Sequence, residues 1–225
     1  MRISVIIPTL NEEAALPVTL AAVRRQSPHE IIVADGGSTD GTIARAKGLA
    51  DGIVTGERGR AAQMNRGASS ATGDALLFLH ADCALEDKSL AEIGHWLKNP
   101  NVSAGCFRMF VPGRNPLYRG IGACASARAR LFGIVYGDQG LFLRREMFVK
   151  AGGFPQLRLM EDVYLSLRLR KMGRVVVARR RITASPRRWQ EVGVVRQTLR
   201  NWALTALAAC GTHPDQLARY YPDVR

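Results

Sequence analysis

The chain has 225 residues, enough for one sizeable hydrophobic core or one domain with a modest appendage. Its 32 Lys and Arg against 19 Asp and Glu give a formal net charge of +13, which points to anionic partners such as nucleotides, phosphorylated substrates, an acidic membrane surface or nucleic acid. Cys83, Cys106, Cys124 and Cys210 are widely spaced with no CxxC pair, which argues against a disulfide framework or structural zinc site and for a reducing, cytoplasmic compartment. The chain opens on an apolar run rather than a secretory leader, and no segment reaches the roughly 20 apolar residues that span a bilayer.

The first half alternates between strand and helix patterns. Residues 3–8 are a continuous apolar strand, and 12–26 show helical spacing through Leu16, Leu20 and Val23. Residues 30–35 predict a second strand and 39–47 a second helix, capped by Ser38. A short strand at 52–55, a helix at 60–70, an apolar strand at 75–80 and a helix at 86–98 complete this half. Such alternation implies right-handed βαβ units and a mostly parallel sheet flanked by helices. After Pro100 the rhythm changes: strands at 102–111, 140–144 and 174–179, and helices at 116–132, 160–171 and 191–210. The expected organisation is one Rossmann-like α/β domain over 1–190, with a nucleotide half at 1–99 and an acceptor half at 100–190, followed by an amphipathic helical extension at 191–225.

Ligands of open α/β sheets bind beyond the carboxyl ends of the strands. The first strand ends in Pro8-Thr9-Leu10-Asn11-Glu12, the second in Asp35-Gly36-Gly37-Ser38, and the fourth in His80-Ala81-Asp82. Glycines permit close backbone approach, and a carboxylate can accept from a base or ribose. A Gly-rich turn with a helix cap accounts for any one of these ends; three in one chain favour a nucleotide site. Neither GxGxxG nor GxxxxGK[ST] occurs, which disfavours a nicotinamide enzyme or a P-loop ATPase.

The segments IIPTLNEE, IIVADGGSTDGT, GRAAQMNRGA and LFLHADC resemble the family 2 glycosyltransferases with the GT-A fold. A small bacterial subgroup of about this length also shares the GDQG, MEDV, RRW and closing YYPDVR stretches. The resemblance implies transfer of a sugar from a nucleoside diphosphate, UDP-sugars being the common donors, with inversion and with a divalent cation, Mn²⁺ or Mg²⁺. It places the nucleotide sugar on Pro8, Thr9, Asn11, Glu12, Asp35, Gly37, Ser38, His80, Ala81 and Asp82, with Asp82 as the metal-binding last acid of the family's DxD motif. His80 stands where the first acid of that motif belongs, a departure from the pattern. One or two of Arg58, Arg60, Gln63 and Asn65, at or beside the start of a helix, can reach the nucleotide or diphosphate; a solvated basic helix is the alternative. Glu161-Asp162 resembles the family's ED pair, which makes Asp162 the expected base and Glu161 its orienting neighbour; without the resemblance, an acidic pair at a helix N-terminus needs no further role. Asp138 and Gln139 are candidates for the acceptor or sugar pocket, where a simple turn is nearly as good an account. Arg188 and Trp189 match only the end of the processive QxxRW motif and are candidates to cover the pyrophosphate or stack on a sugar.

The 191–210 helix has two readings: a helix docked on the core, or an interfacial helix bringing the enzyme to a lipid-linked acceptor on the inner face of the membrane. A nucleotidyltransferase of related fold is the alternative enzyme, but it expects a basic Gly-rich loop after the first strand, where this chain has none. Nucleic-acid binding is disfavoured, because the basic residues are dispersed and aromatics make up only 7% without a stacking pattern.

Overall fold

Seven consecutive buried residues form β1 (Ile3–Thr9), as expected of a strand covered on both faces. In the computed structural model, which describes residues 1–221, the chain continues through α1 (Leu16–Arg24), β2 (Glu30–Asp35), α2 (Thr42–Ala46), β3 (Gly52–Thr55), α3 (Arg60–Ser70) and β4 (Ala75–Phe78). Then follow β5 (Cys83–Leu85), α4 (Ser89–Leu97), β6 (Val102–Phe110), α5 (Leu117–Phe132), β7 (Leu141–Arg144), α6 (Arg145–Lys150) and α7 (Glu161–Met172). The last described elements are β8 (Arg174–Ala184), α8 (Arg187–Val192), α9 (Val194–Ala209) and α10 (Pro214–Leu217).

The strands form one sheet in the order β3-β2-β1-β4-β7-β6-β8-β5. The first four are parallel, in the βαβ pattern read from the sequence. The other half is mixed: β7 runs antiparallel to β4 and β6, β8 is parallel to β6, and β5 is antiparallel to β8. Alternating residues of the same strands feed two cores, Val5, Ile7, Val33 and Leu77 on one face and Ile6, Ile32, Leu76 and Phe78 on the other. Where β6 meets β7 the backbone must come close: a Cβ on Gly105 would lie 2.3 Å from the Phe142 ring.

Several boundaries differ from the sequence reading, each for a local reason. The helix expected over 12–26 begins only at Leu16, where Pro17 sets the first turn, because the preceding loop turns through Asn11 at φ 53°. Thr42, rather than residue 39, opens α2. Asp40 replaces Ser38 as the residue holding its first amide, since Thr42 N donates to Asp40 Oδ1 at 3.0 Å. The 191–210 helix is divided at Gly193, φ 93°, into α8 and α9. Finally, β8 runs past residue 179, where the expected strand ends, through Arg180 and Arg181 to Ala184. Acids from α4 and the preceding turn stabilise this stretch: Glu92 accepts from the amides of Arg179 and Arg180, and Glu86 from that of Arg181.

Candidate active site

The parallel register sets Thr9 beside Asp35 at the carboxyl ends of β1 and β2. Asp35 is fully buried, and its carboxylate accepts from Gly37 N (2.8 Å), Ser38 N (2.9 Å), Ser38 Oγ and Thr9 Oγ1 (3.3 Å). The loops after the two strands are sewn together beyond it: Asn11 N donates to Ser38 Oγ, Thr39 N to Asn11 Oδ1, Glu12 N to Thr42 Oγ1 and Gly41 N to Glu13 Oε2. From α3, the buried Gln63 amide donates to the carbonyls of Thr9 (2.7 Å) and Ala34 (2.9 Å), fixing both strand ends. Pro8 and Ala81 are buried too, so these positions shape the site through backbone.

A cleft opens alongside, over the ends of β4 and β8. Its walls include Arg60 from α3, His80 and Asp82 after β4, Asp138 and Asp162, and Arg187, Arg188 and Trp189 from α8. Arg187 crosses the cleft mouth, with Nη2 3.0 Å from Glu12 Oε1 and 3.6 Å from Asp82 Oδ2. The Arg188 guanidinium lies 4.5 Å from the Tyr221 ring centre. At the floor, Asp162 accepts from Gly137 N at 2.6 Å and from Val163 N at 2.7 Å. Gly137 is pinned between two functional groups: a Cβ there would fall 2.6 Å from His80 Nε2 and 3.5 Å from Asp162 Oδ2.

The electrostatics of this floor are unusual. Desolvation raises the Asp162 pKa, and the amides of Gly137 and Val163 offset part of that rise. Burial, followed by the neighbouring Asp162 charge, pushes Glu161 up to about 7. Burial likewise pushes Asp138 up to about 6, and its Oδ1 is a buried oxygen without a hydrogen-bond partner. The opposing cation is Arg60: burial works against its charge, but Glu161, Tyr221, Asp162 and Asp82 outweigh that and raise its pKa. Three acids with raised proton affinity beside arginines are an arrangement suited to accepting protons and binding an anion.

His80, Asp82 and Cys83 bring their ligand atoms within 4.8 Å of one another. One carboxylate with an imidazole is a thin donor set for a divalent cation, but the orphaned Asp138 oxygen lines the same cleft. With ligand phosphate oxygens completing the shell, the residues fit such an ion.

Of the residues singled out from the sequence, the cleft gathers Arg60, His80, Asp82, Asp138, Asp162, Arg188 and Trp189. Arg58 and Gln63 line an adjoining hollow, which shares Arg60, Arg188 and Tyr221 with the cleft. Three side chains are engaged elsewhere. Asn65 is turned to Phe154, donating to its carbonyl and accepting from its amide. Gln139 is fully buried and accepts from Arg128 at 2.6 Å, so it supports the 137–139 turn from behind. Glu161 is buried beneath Asp162 rather than on the cleft wall. The sequence reading passed over Arg187 as a site residue, as well as Tyr136 and the α9 side chains Gln197, Asn201 and Thr205, which line the same cleft. Their spacing of four along one helix was a usable signal. In the closing YYPDVR stretch, residues 222–225 lie outside the described residues.

Comparison with known proteins agrees with this geometry. The family model "Glycosyl transferase family 2" matches residues 4–151. A "PGL/p-HBAD biosynthesis glycosyltransferase" of Mycobacterium bovis is 34% identical over 178 residues, covering 73% of this chain and 68% of that protein. An O-antigen chain rhamnosyltransferase of Salmonella typhimurium is 26% identical over 197 residues, with 77% and 62% covered. Among solved structures, a mannosyltransferase from Pyrobaculum calidifontis in complex with GDP-Man and Mn²⁺ aligns with a TM-score of 0.62 at 26% identity, over 79% of this chain and 56% of that one. S. aureus TarS in complex with UDP-GlcNAc shares the fold, with a TM-score of 0.65 at 18% identity over 82% and 58%. The chain therefore spans between about half and two thirds of these relatives' lengths. On the family match across most of its length and the strand-end architecture that accompanies it, this chain belongs to glycosyl transferase family 2 and is a glycosyltransferase.

Proposed function

We propose that the chain transfers a sugar from a nucleoside diphosphate sugar, a UDP-sugar in the first instance, to a hydroxyl of an acceptor bound on the α9 side of the cleft, with inversion at the anomeric carbon. The observation that carries this reading is the opposition of Asp162, its pKa raised, to Arg60, Arg187 and Arg188 across one cleft at the strand ends. In this reading the nucleoside lies along the loops built on Pro8–Glu12 and Asp35–Ser38. The diphosphate faces Arg60 and Arg188, whose guanidiniums suit phosphate oxygens. Asp82, with His80 beside it, would hold the divalent cation, Mn²⁺ or Mg²⁺; the bound ion supplies neutralisation of charge on the departing diphosphate.

Asp162 takes the proton from the attacking hydroxyl as the new glycosidic bond forms and the bond to the diphosphate breaks. A raised pKa makes this carboxylate a better base near neutral pH than an exposed one. Burial keeps the proton affinity of Asp162 high, and the Gly137 amide fixes the direction of the accepting oxygen. On the far wall, Gln197, Asn201, Thr205 and Tyr136 form a linked polar surface for the acceptor, with Gln197 Nε2 donating to Asn201 Oδ1 at 2.8 Å and Tyr136 Oη 2.8 Å from Thr205 Oγ1.

A donor panel tests the reading. Purified protein is incubated with UDP-, GDP- and dTDP-sugars, with and without Mn²⁺ or Mg²⁺, and thermal stabilisation and nucleoside diphosphate release are measured. One donor is expected to stabilise the protein in a metal-dependent manner, and Asp82→Ala to abolish the metal dependence. No stabilisation by any sugar nucleotide under any metal condition refutes the proposal.

A further inference from the structure

Helix α9 is amphipathic in the reverse sense to a helix docked on a core. Gln197, Asn201 and Thr205 point inward to the cleft, with Leu204 as the buried anchor. Its outer face carries Val195 (59% exposed), Leu199 (56%) and Trp202 (58%), at helical spacing on one stripe, and Leu207 (47%) lies to one side. Burying polar groups toward a ligand cleft is explained by the site. Leaving a tryptophan and three aliphatic side chains in water is not, and a contiguous exposed apolar stripe marks a docking surface.

The charge on the helix identifies the occupant. Arg196 and Arg200 border the stripe on the side of Leu207, and α9 contains no acidic residue. Two copies of the helix packed face to face would bring arginine toward arginine without compensation. An anionic lipid surface satisfies both features at once, taking the apolar side chains at the headgroup boundary and the guanidiniums at the phosphates. Tryptophan favours that boundary, and the chain's net charge of +13 adds long-range attraction. Sixteen residues make a helix about 24 Å long, suited to lying in the interface. Among the described residues no helix is long and apolar enough to cross a membrane.

We propose that α9 seats the enzyme on an anionic bilayer through Val195, Leu199, Trp202 and Arg196, so that the cleft behind its inner face opens next to the lipid headgroups. This rests on the reading of that inner face as the acceptor wall, and makes the acceptor a headgroup-linked hydroxyl.

Flotation with vesicles tests the docking without requiring turnover. The protein is mixed with vesicles of phosphatidylcholine alone, or of equal parts phosphatidylglycerol and phosphatidylcholine. Binding to the anionic vesicles is expected, weakened by salt. The Leu199→Asp, Trp202→Asp double variant should partition about tenfold less while keeping the wild-type melting temperature and nucleotide-sugar binding. Absence of binding to anionic vesicles, or equal binding by the double variant, overturns the proposal. So does a sedimentation-equilibrium dimer that the double variant dissolves in protein that never floats. Failure of flotation with donor binding intact removes the membrane surface and leaves the glycosyl-transfer reading standing; flotation without any donor binding does the reverse.

Discussion

Two acidic sites lie at the same end of the sheet, and they are built on opposite principles. Asp35 is buried, yet each of its oxygens is satisfied by donors from its own loop and from Thr9. Asp162, Glu161 and Asp138 are packed together and desolvated, and burial raises their proton affinities beyond what their few donors and nearby arginines offset. A fully satisfied carboxylate stabilises the fold and has little left to offer a reactant, whereas an under-satisfied one costs stability and keeps its lone pairs for chemistry. The nucleotide side of the site is thus a finished scaffold, and the acceptor side is a reactive surface.

The same substitution at the two sites should separate them. Asp162→Asn is expected to lower kcat by about 10²–10⁴ while leaving donor binding in place, because only the proton acceptor is lost. Its melting temperature should fall less than that of Asp35→Asn, since removing a charge from the crowded floor offsets the one backbone amide, of Gly137 or Val163, that the new NH2 group would face. Asp35→Asn should instead destabilise the protein by about 1–3 kcal/mol in denaturant titration, as the amide end of the new side chain faces donors it cannot satisfy. Wild-type turnover in Asp162→Asn would remove it as the base, and unchanged stability in Asp35→Asn would break the contrast.

A second test uses pH. Glu161 has its pKa raised from 4.5 to about 7, so its folded form favours the proton. The stability it contributes is fully present below pH 4.5 and is lost as pH rises through about 7. Activity should move the other way, because the base must be unprotonated and the raised Asp162 pKa shifts the acid limb of kcat/KM upward. Melting temperature and kcat/KM measured over this range should therefore slope in opposite directions. Glu161→Gln should flatten the stability slope, and parallel slopes in the wild type would contradict the charge arrangement.

The nucleotide side was legible in the sequence because it is local. Strand, glycine turn and helix follow one another in βαβ order, and residues 31–42 contain both Asp35 and the loop donors that satisfy it. The acceptor side depends on distant segments. Arg187 meets Glu12 across 175 positions, and Gly137 meets Asp162 across 25, separations that no short window reveals. The resemblance of the MEDV and GDQG stretches supplied what periodicity could not. It could not show that Gln139 faces inward, or that α9 has its polar face toward the cleft, since a helical pattern defines two faces without saying which is covered.

Asn65 gives the finest division between scaffold and site. It lies five residues along α3 from Arg60, in the stretch that the sequence marks as able to reach the nucleotide. Yet its amide accepts from Phe154 N at 2.9 Å and donates to Phe154 O at 2.8 Å, tying α3 to the segment that leads into the Glu161-Asp162 pair. Both ends of this side chain hold the Phe154 backbone and it does not line the cleft, so Asn65→Ala should cost about 1–2 kcal/mol of stability through the two lost hydrogen bonds. Donor affinity should stay within about twofold of wild type when measured well below the melting transition, because each kcal/mol of direct contact would already change it about fivefold. A tenfold loss of donor affinity in a stably folded Asn65→Ala would assign the residue to the nucleotide and move the border between scaffold and site further along α3.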